Sequence, residues 1–99
     1  MAQCVIVYWR DIPAQVIVRN GRASAKRELP PRFAEAIDRA AMRADLTGTD
    51  AYLEAWRRAP PMACGDDLEA EAAAAAAALD EAYPPARLKG FVEAFGEER

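Results

Sequence analysis

The chain contains no histidine. That absence removes the side chain whose charge changes near neutral pH, the commonest zinc ligand, and the base of serine and cysteine triads. Most simple hydrolase chemistry is thereby set aside, and the expectation is a protein that is not an enzyme. Cysteine is scarce as well: Cys4 and Cys64 lie far apart in sequence, and no CxxC pair is present. One disulfide at most does not make a secreted scaffold, so reduced thiols and a cytoplasmic location are expected, each thiol acting as a small hydrophobe. No stretch approaches the run of about 18 apolar residues that spans a bilayer, and no charged segment leads into an apolar export signal. A membrane partner is therefore not expected. GxGxxG, phosphate-loop and GxSxG motifs are missing too, and no cofactor or metal is expected.

What is present describes a folded soluble protein. The 99 residues are 53% apolar and 29% charged, enough for one modest core and a single domain spanning residues 1–99. Charge is divided unevenly. Residues 1–49 hold eight Lys or Arg against five Asp or Glu, whereas residues 50–99 hold five against eleven. The net charge of −3 argues against a nucleic-acid partner, for which a basic domain is expected.

The pattern reads as α+β: a three-stranded antiparallel meander at about residues 3–9, 13–19 and 22–28, followed by four helices at about 31–44, 49–58, 66–83 and 85–95. Cys4 to Trp9 is a β-favouring run, and Ala14 to Arg19 alternates with Val16 and Val18 on one face. Between them Arg10-Asp11-Ile12-Pro13 supplies a turn, with Pro13 at a strand start or a bulge. Asn20-Gly21 is a strong hairpin signal for a type I′ turn. The basic segment Arg22 to Glu28 then reads as an edge strand, with Lys26 and Arg27 discouraging further pairing.

Pro30-Pro31 opens the first helix, whose apolar face is Phe33, Ile37, Ala40, Ala41 and Ala44. Thr49 is placed to cap a second, with Tyr52, Leu53 and Trp56 as its stripe and Arg57-Arg58 at its end. Ala59 to Gly65 reads as a loop and the best hinge or contact segment. Asp66 with Glu69 resembles a capping box opening a third helix through the alanine run 72–78. Leu88, Phe91, Val92 and Phe95 mark the face of a short fourth helix after Pro84-Pro85.

Several features admit either a chemical or a structural reading. Asp66, Asp67, Glu69 and Glu71 are acidic enough for a hard cation, but carboxylates at a helix start complement its dipole, and capping is expected. Arg19, Arg22, Lys26, Arg27, Arg32, Arg39 and Arg43 are expected to form a solvated edge or a docking surface for an acidic partner. Tyr8 and Trp9, being adjacent in a strand, must point to opposite faces of the sheet, so one is expected in the core. The candidate interaction surface is Tyr8, Trp9, Arg10, Arg19, Arg22, Lys26 and Arg27.

Tyr8-Trp9-Arg10-Asp11-Ile12-Pro13-Ala14-Gln15-Val16, then Asn20-Gly21-Arg22, Ala25 to Pro30, Ala41-Met42-Arg43 and Thr49 to Leu53, resemble a small bacterial domain family known only as "virulence factor". The resemblance covers roughly residues 4–60, most specifically the Trp-Arg-Asp-Ile-Pro-Ala-Gln-Val core. In larger relatives of the conserved virulence factor C type, a similar domain accompanies a NifU-like scaffold domain and helical repeats, which implies an assembly or adaptor role. For stand-alone copies the resemblance implies a link to folate and corrinoid one-carbon metabolism. It implies no site residues, and without a cluster motif here no iron–sulfur role is carried over.

Two functions are therefore expected to compete. One is a non-enzymatic accessory or adaptor protein that docks on a larger cytoplasmic protein through the outer sheet face, the basic edge strand or the Pro60 loop. The other is a ligand-binding component of a folate or corrinoid methyltransferase system, with Trp9, Arg10 and Arg19 meeting an anionic aromatic ligand. A homodimer through sheet faces or edges is compatible with both.

Overall fold

The structure, a computed structural model, describes residues 2–97. The meander is β1 (Ala2–Trp9), β2 (Ile12–Asn20) and β3 (Ala23–Glu28), each antiparallel to the next. Arg10 and Asp11 make the first turn, and Arg10 takes a left-handed φ of 52° so that Trp9 pairs directly with Ile12. The register slips between Val7, opposite Gln15, and Tyr8, opposite Pro13, which leaves Ala14 as the extra residue of a bulge. That bulge accommodates a proline inside a central strand, because the ladder is already interrupted there.

The second turn lies one residue further on than the Asn20-Gly21 reading. Asn20 pairs with Ala23, so Gly21 and Arg22 form the loop, and the positive φ of 63° falls on Gly21. A glycine at the first central position is the type II′ arrangement, which matches the twist of the strands as well as the expected type I′ does.

The larger correction concerns residues 49–65. Helix α1 (Pro31–Arg43) agrees with expectation, but α2 (Asp50–Glu54) is a single short helix rather than one running to residue 58. Trp56–Arg58 is strand β4 and Met62–Cys64, expected in a loop, is strand β5. Both pair antiparallel with the remaining edge of β1: β4 against Val7–Trp9 and β5 against Ala2–Cys4. The cause is non-local. β1 is the most apolar strand, and a bare edge would leave its backbone groups unpaired in a buried setting. The register changes by one residue across Ala59-Pro60-Pro61, where the prolines offer no N–H; the Ala59 N–H still donates to the Ile6 carbonyl at 2.9 Å. Among the described residues the sheet therefore has five strands, with β1 central and two short strands sharing one flank.

Helices α3 (Leu68–Ala82) and α4 (Pro85–Glu93) complete the chain. The Asp67 carboxylate caps α3 by accepting from the Ala70 N–H at 3.2 Å, so the cap falls one residue later than the Asp66–Glu69 box. The alanine run lets α3 lie close on one face of the sheet, where Ala72 is packed with Ala2, Cys4, Val16, Val18 and Ala25. A second apolar cluster sits at the β1–β2 turn. There Trp9 and Ile12 meet Phe33, Ile37 and Ala40 of α1 and Leu88 and Phe91 of α4. Ala44 is only half-buried, and Phe95 lies past the end of α4, 45% exposed at a φ of 62°.

Candidate functional site

The seven residues of the expected interaction surface are dispersed. Trp9 is fully buried, and its indole Nε1–H donates to the Tyr52 carbonyl at 2.9 Å. It is a core residue. Tyr8 points to the α3 side and is half-buried beneath the Arg57 guanidinium, 4.6 Å from its ring centre. Burial, with Tyr83 nearby, pushes the Tyr8 phenol up, while Arg57 acts in the opposite sense. Arg10 is held at the first turn by the Phe95 carbonyl, 2.8 Å away. Arg19 is at the other end of the hairpin, opposite Gln3. Trp9, Arg10 and Arg19 therefore do not surround a common ligand. Arg22 lies in the second turn, and Arg27 reaches across the α3 face to Glu69 at 3.6 Å.

Arg19 and Lys26 remain together on the sheet face away from α3. Side chains alternate along each strand, so the positions opposite Ala2, Cys4, Val16 and Val18 share this second face. Its centre is Val5 and Val7, both buried, with Ile17 half-buried beside them. Lys26 pairs with Ile17, Arg19 with Ser24, and Arg58 with Val7, and all three cations are exposed. Glu28, opposite Gln15, is the neighbouring anion. Arg19 and Lys26 are legible in the sequence as surface cations, whereas Arg58 is not, because Tyr52, Leu53 and Trp56 give its segment a helical spacing.

The same face ends in a cleft of about 370 Å³ where the sheet meets α1 and α2. Glu28 and Gln15 come from the strands, Ile37 and Asp38 from α1, Tyr52 from α2 and Trp56 from β4, with Ala14 and Leu29 also lining it. The Tyr52 and Trp56 rings meet edge to face, 6.2 Å between centres. Asp38 and Trp56 carried no signal that would join them to Glu28 across three elements; Trp56 was legible only as an apolar residue at helical spacing.

Cys4 is buried and Cys64 half-buried, both on the α3 side of adjacent strands, and both are free thiols. Burial raises the Cys4 thiol, with Cys64 and then Glu71 adding to it; Cys64 is raised by desolvation, then by Glu71 and Asp66. Neither has the lowered thiol that nucleophilic chemistry needs. Among the described residues no three His, Cys, Asp or Glu side chains gather as a metal site, and no helix is long and apolar enough to cross a membrane.

A family model described as "Virulence factor" matches residues 7–92. No curated protein and no solved structure matches the chain.

Proposed function

The chain belongs to the virulence factor family, and from that premise we propose that it is a non-enzymatic accessory protein that docks on a larger cytoplasmic protein through the sheet face away from α3. One observation carries the reading: α3 packs on one side of the sheet, while the other side presents Arg19, Lys26 and Arg58, exposed, around Ile17. An apolar centre rimmed by charge is the anatomy of a protein contact, and three cations against Glu28 select an acidic partner. The raised thiols and the lack of histidine agree with a role in binding rather than in catalysis.

Affinity purification of the tagged protein from its native host tests the proposal. A stoichiometric acidic partner is expected with the natural chain and its loss is expected with Arg19→Glu plus Lys26→Glu, circular dichroism remaining unchanged. A partner retained by the double variant, or a clean monomer with no partner, would overturn it.

A further inference from the structure

The cleft at the end of the open face differs in charge from the surface beside it. Glu28 and Asp38 both line it, and among the described residues neither carboxylate has an ion-pair or hydrogen-bond partner. No lysine or arginine is among its lining residues, although the groove on the other side of α1 is lined by Arg32, Arg39 and Lys89. The helix thus separates a cationic groove from an anionic cleft, despite the basic balance of the first half of the chain. Tyr52 and Trp56 give the cleft aromatic lining, and Leu29 and Ile37 give it aliphatic lining. Its volume of about 370 Å³ lies in the range that holds small ligands.

These properties select one class of occupant. Two unpaired carboxylates repel an anion and attract a cation; two aromatic rings favour a positive charge over their faces; an aliphatic lining covers methylene groups. We propose that this cleft binds an organic cation, an ammonium or guanidinium group on an aliphatic stem. The inference goes beyond the docking reading and stands without it, since none of Arg19, Lys26 and Arg58 lines the cleft. The same chemistry reaches the protein either as a free amine or as a lysine or arginine side chain of another protein.

The test is titration of isotope-labelled full-length protein, followed by NMR at the Trp56 indole N–H and the Gln15 side-chain amide. Cadaverine and agmatine represent free amines, capped tripeptides with a central lysine or arginine represent protein side chains, and valerate is the anionic control. Shifts at both reporters with cadaverine or agmatine assign a free amine; shifts with the peptides alone assign a protein side chain. In either case Glu28→Gln plus Asp38→Asn should weaken binding about tenfold, as expected for two partly exposed charge contacts. Both positions are exposed and unpaired, so the variant should fold as the natural chain does. Silence with every cation, equal shifts with valerate, or undiminished binding in the double variant would overturn the proposal. Failure here leaves partner capture through Arg19 and Lys26 untouched.

Discussion

Gly96 lies flat against the Trp9 indole, so closely that a Cβ at this position would come within 2.7 Å of Cζ3. Its φ of 86° belongs to the region that side chains disfavour, its N–H closes α4 by donating to the Phe91 carbonyl at 2.7 Å, and its carbonyl accepts from the Asp11 N–H at 2.8 Å. One residue therefore ends a helix, packs on the largest buried ring and pins the first turn. Gly96→Ala is expected to cost about 2–4 kcal/mol, the sum of backbone strain and overpacking. Urea denaturation measures it; a change under about 1 kcal/mol would refute this account of the contact.

Trp9→Phe isolates the polar half of the same ring. The substitution removes the donor to the Tyr52 carbonyl and shrinks a fully buried side chain, while the Trp9–Tyr52 ring contact at 5.7 Å is weakened. A loss of about 2–3 kcal/mol is expected from the cavity and the orphaned carbonyl together. Amide exchange across residues 50–54 should accelerate more than in β2, because the indole bond ties α2 to β1.

Stability should fall in alkaline solution. Cys4 and Tyr8 are both raised by burial above their ordinary values of 9.0 and 10.0, so the folded state holds their protons more tightly than the unfolded chain. Their contribution is complete below those values and is lost as pH rises beyond them through the raised values of the folded state. The melting temperature should decline above about pH 9, and Cys4→Ala should make the first part of the decline shallower, with Cys64 supplying what remains of it. A flat profile from pH 8 to 10.5 would count against the stated burial of both groups.

Arg32 joins the start of α1 to the end of α3. Its Nη2 donates to the Asp80 carboxylate and to the Asp80 and Tyr83 carbonyls, and the guanidinium lies 4.8 Å from the Phe33 ring centre. Lysine has no planar guanidinium to lay against Phe33 and a shorter reach to the Asp80 and Tyr83 carbonyls, so Arg32→Lys should cost about 1–2 kcal/mol. Asp80→Asn should cost less, because the two carbonyl bonds survive it. Equal losses in the two variants would mean that the half-exposed ion pair, rather than the carbonyl bonds, does the fastening.

The meander was legible because its signals are local: β-branched residues alternate, Gly21 turns the chain, and Pro13 announces a bulge. Residues 56–64 were not, because three-residue strands carry no period of their own. Tyr52, Leu53 and Trp56 do have helical spacing, and Tyr52 and Trp56 do touch, but β1 decides the conformation of Trp56 by offering an unpaired edge. The cleft failed to show for a related reason. Glu28, Asp38 and Trp56 belong to three elements whose meeting depends on where α1 crosses the sheet end. Adjacent basic residues likewise suggested one surface, whereas strand alternation sends Arg27 to α3 and Lys26 to the opposite face.

The two short strands that share one flank of β1 also set the order in which the molecule can form. The pairings among β1, β2 and β3 span little sequence and can close early, whereas β4 and β5 reach β1 only after the intervening helices have been passed. Until then the most apolar strand is bare along one side, the condition in which chains join one another edge to edge. Residues 56–64 are thus the late seal on an early-forming hairpin, and shortening the chain before them should yield aggregates rather than a smaller domain.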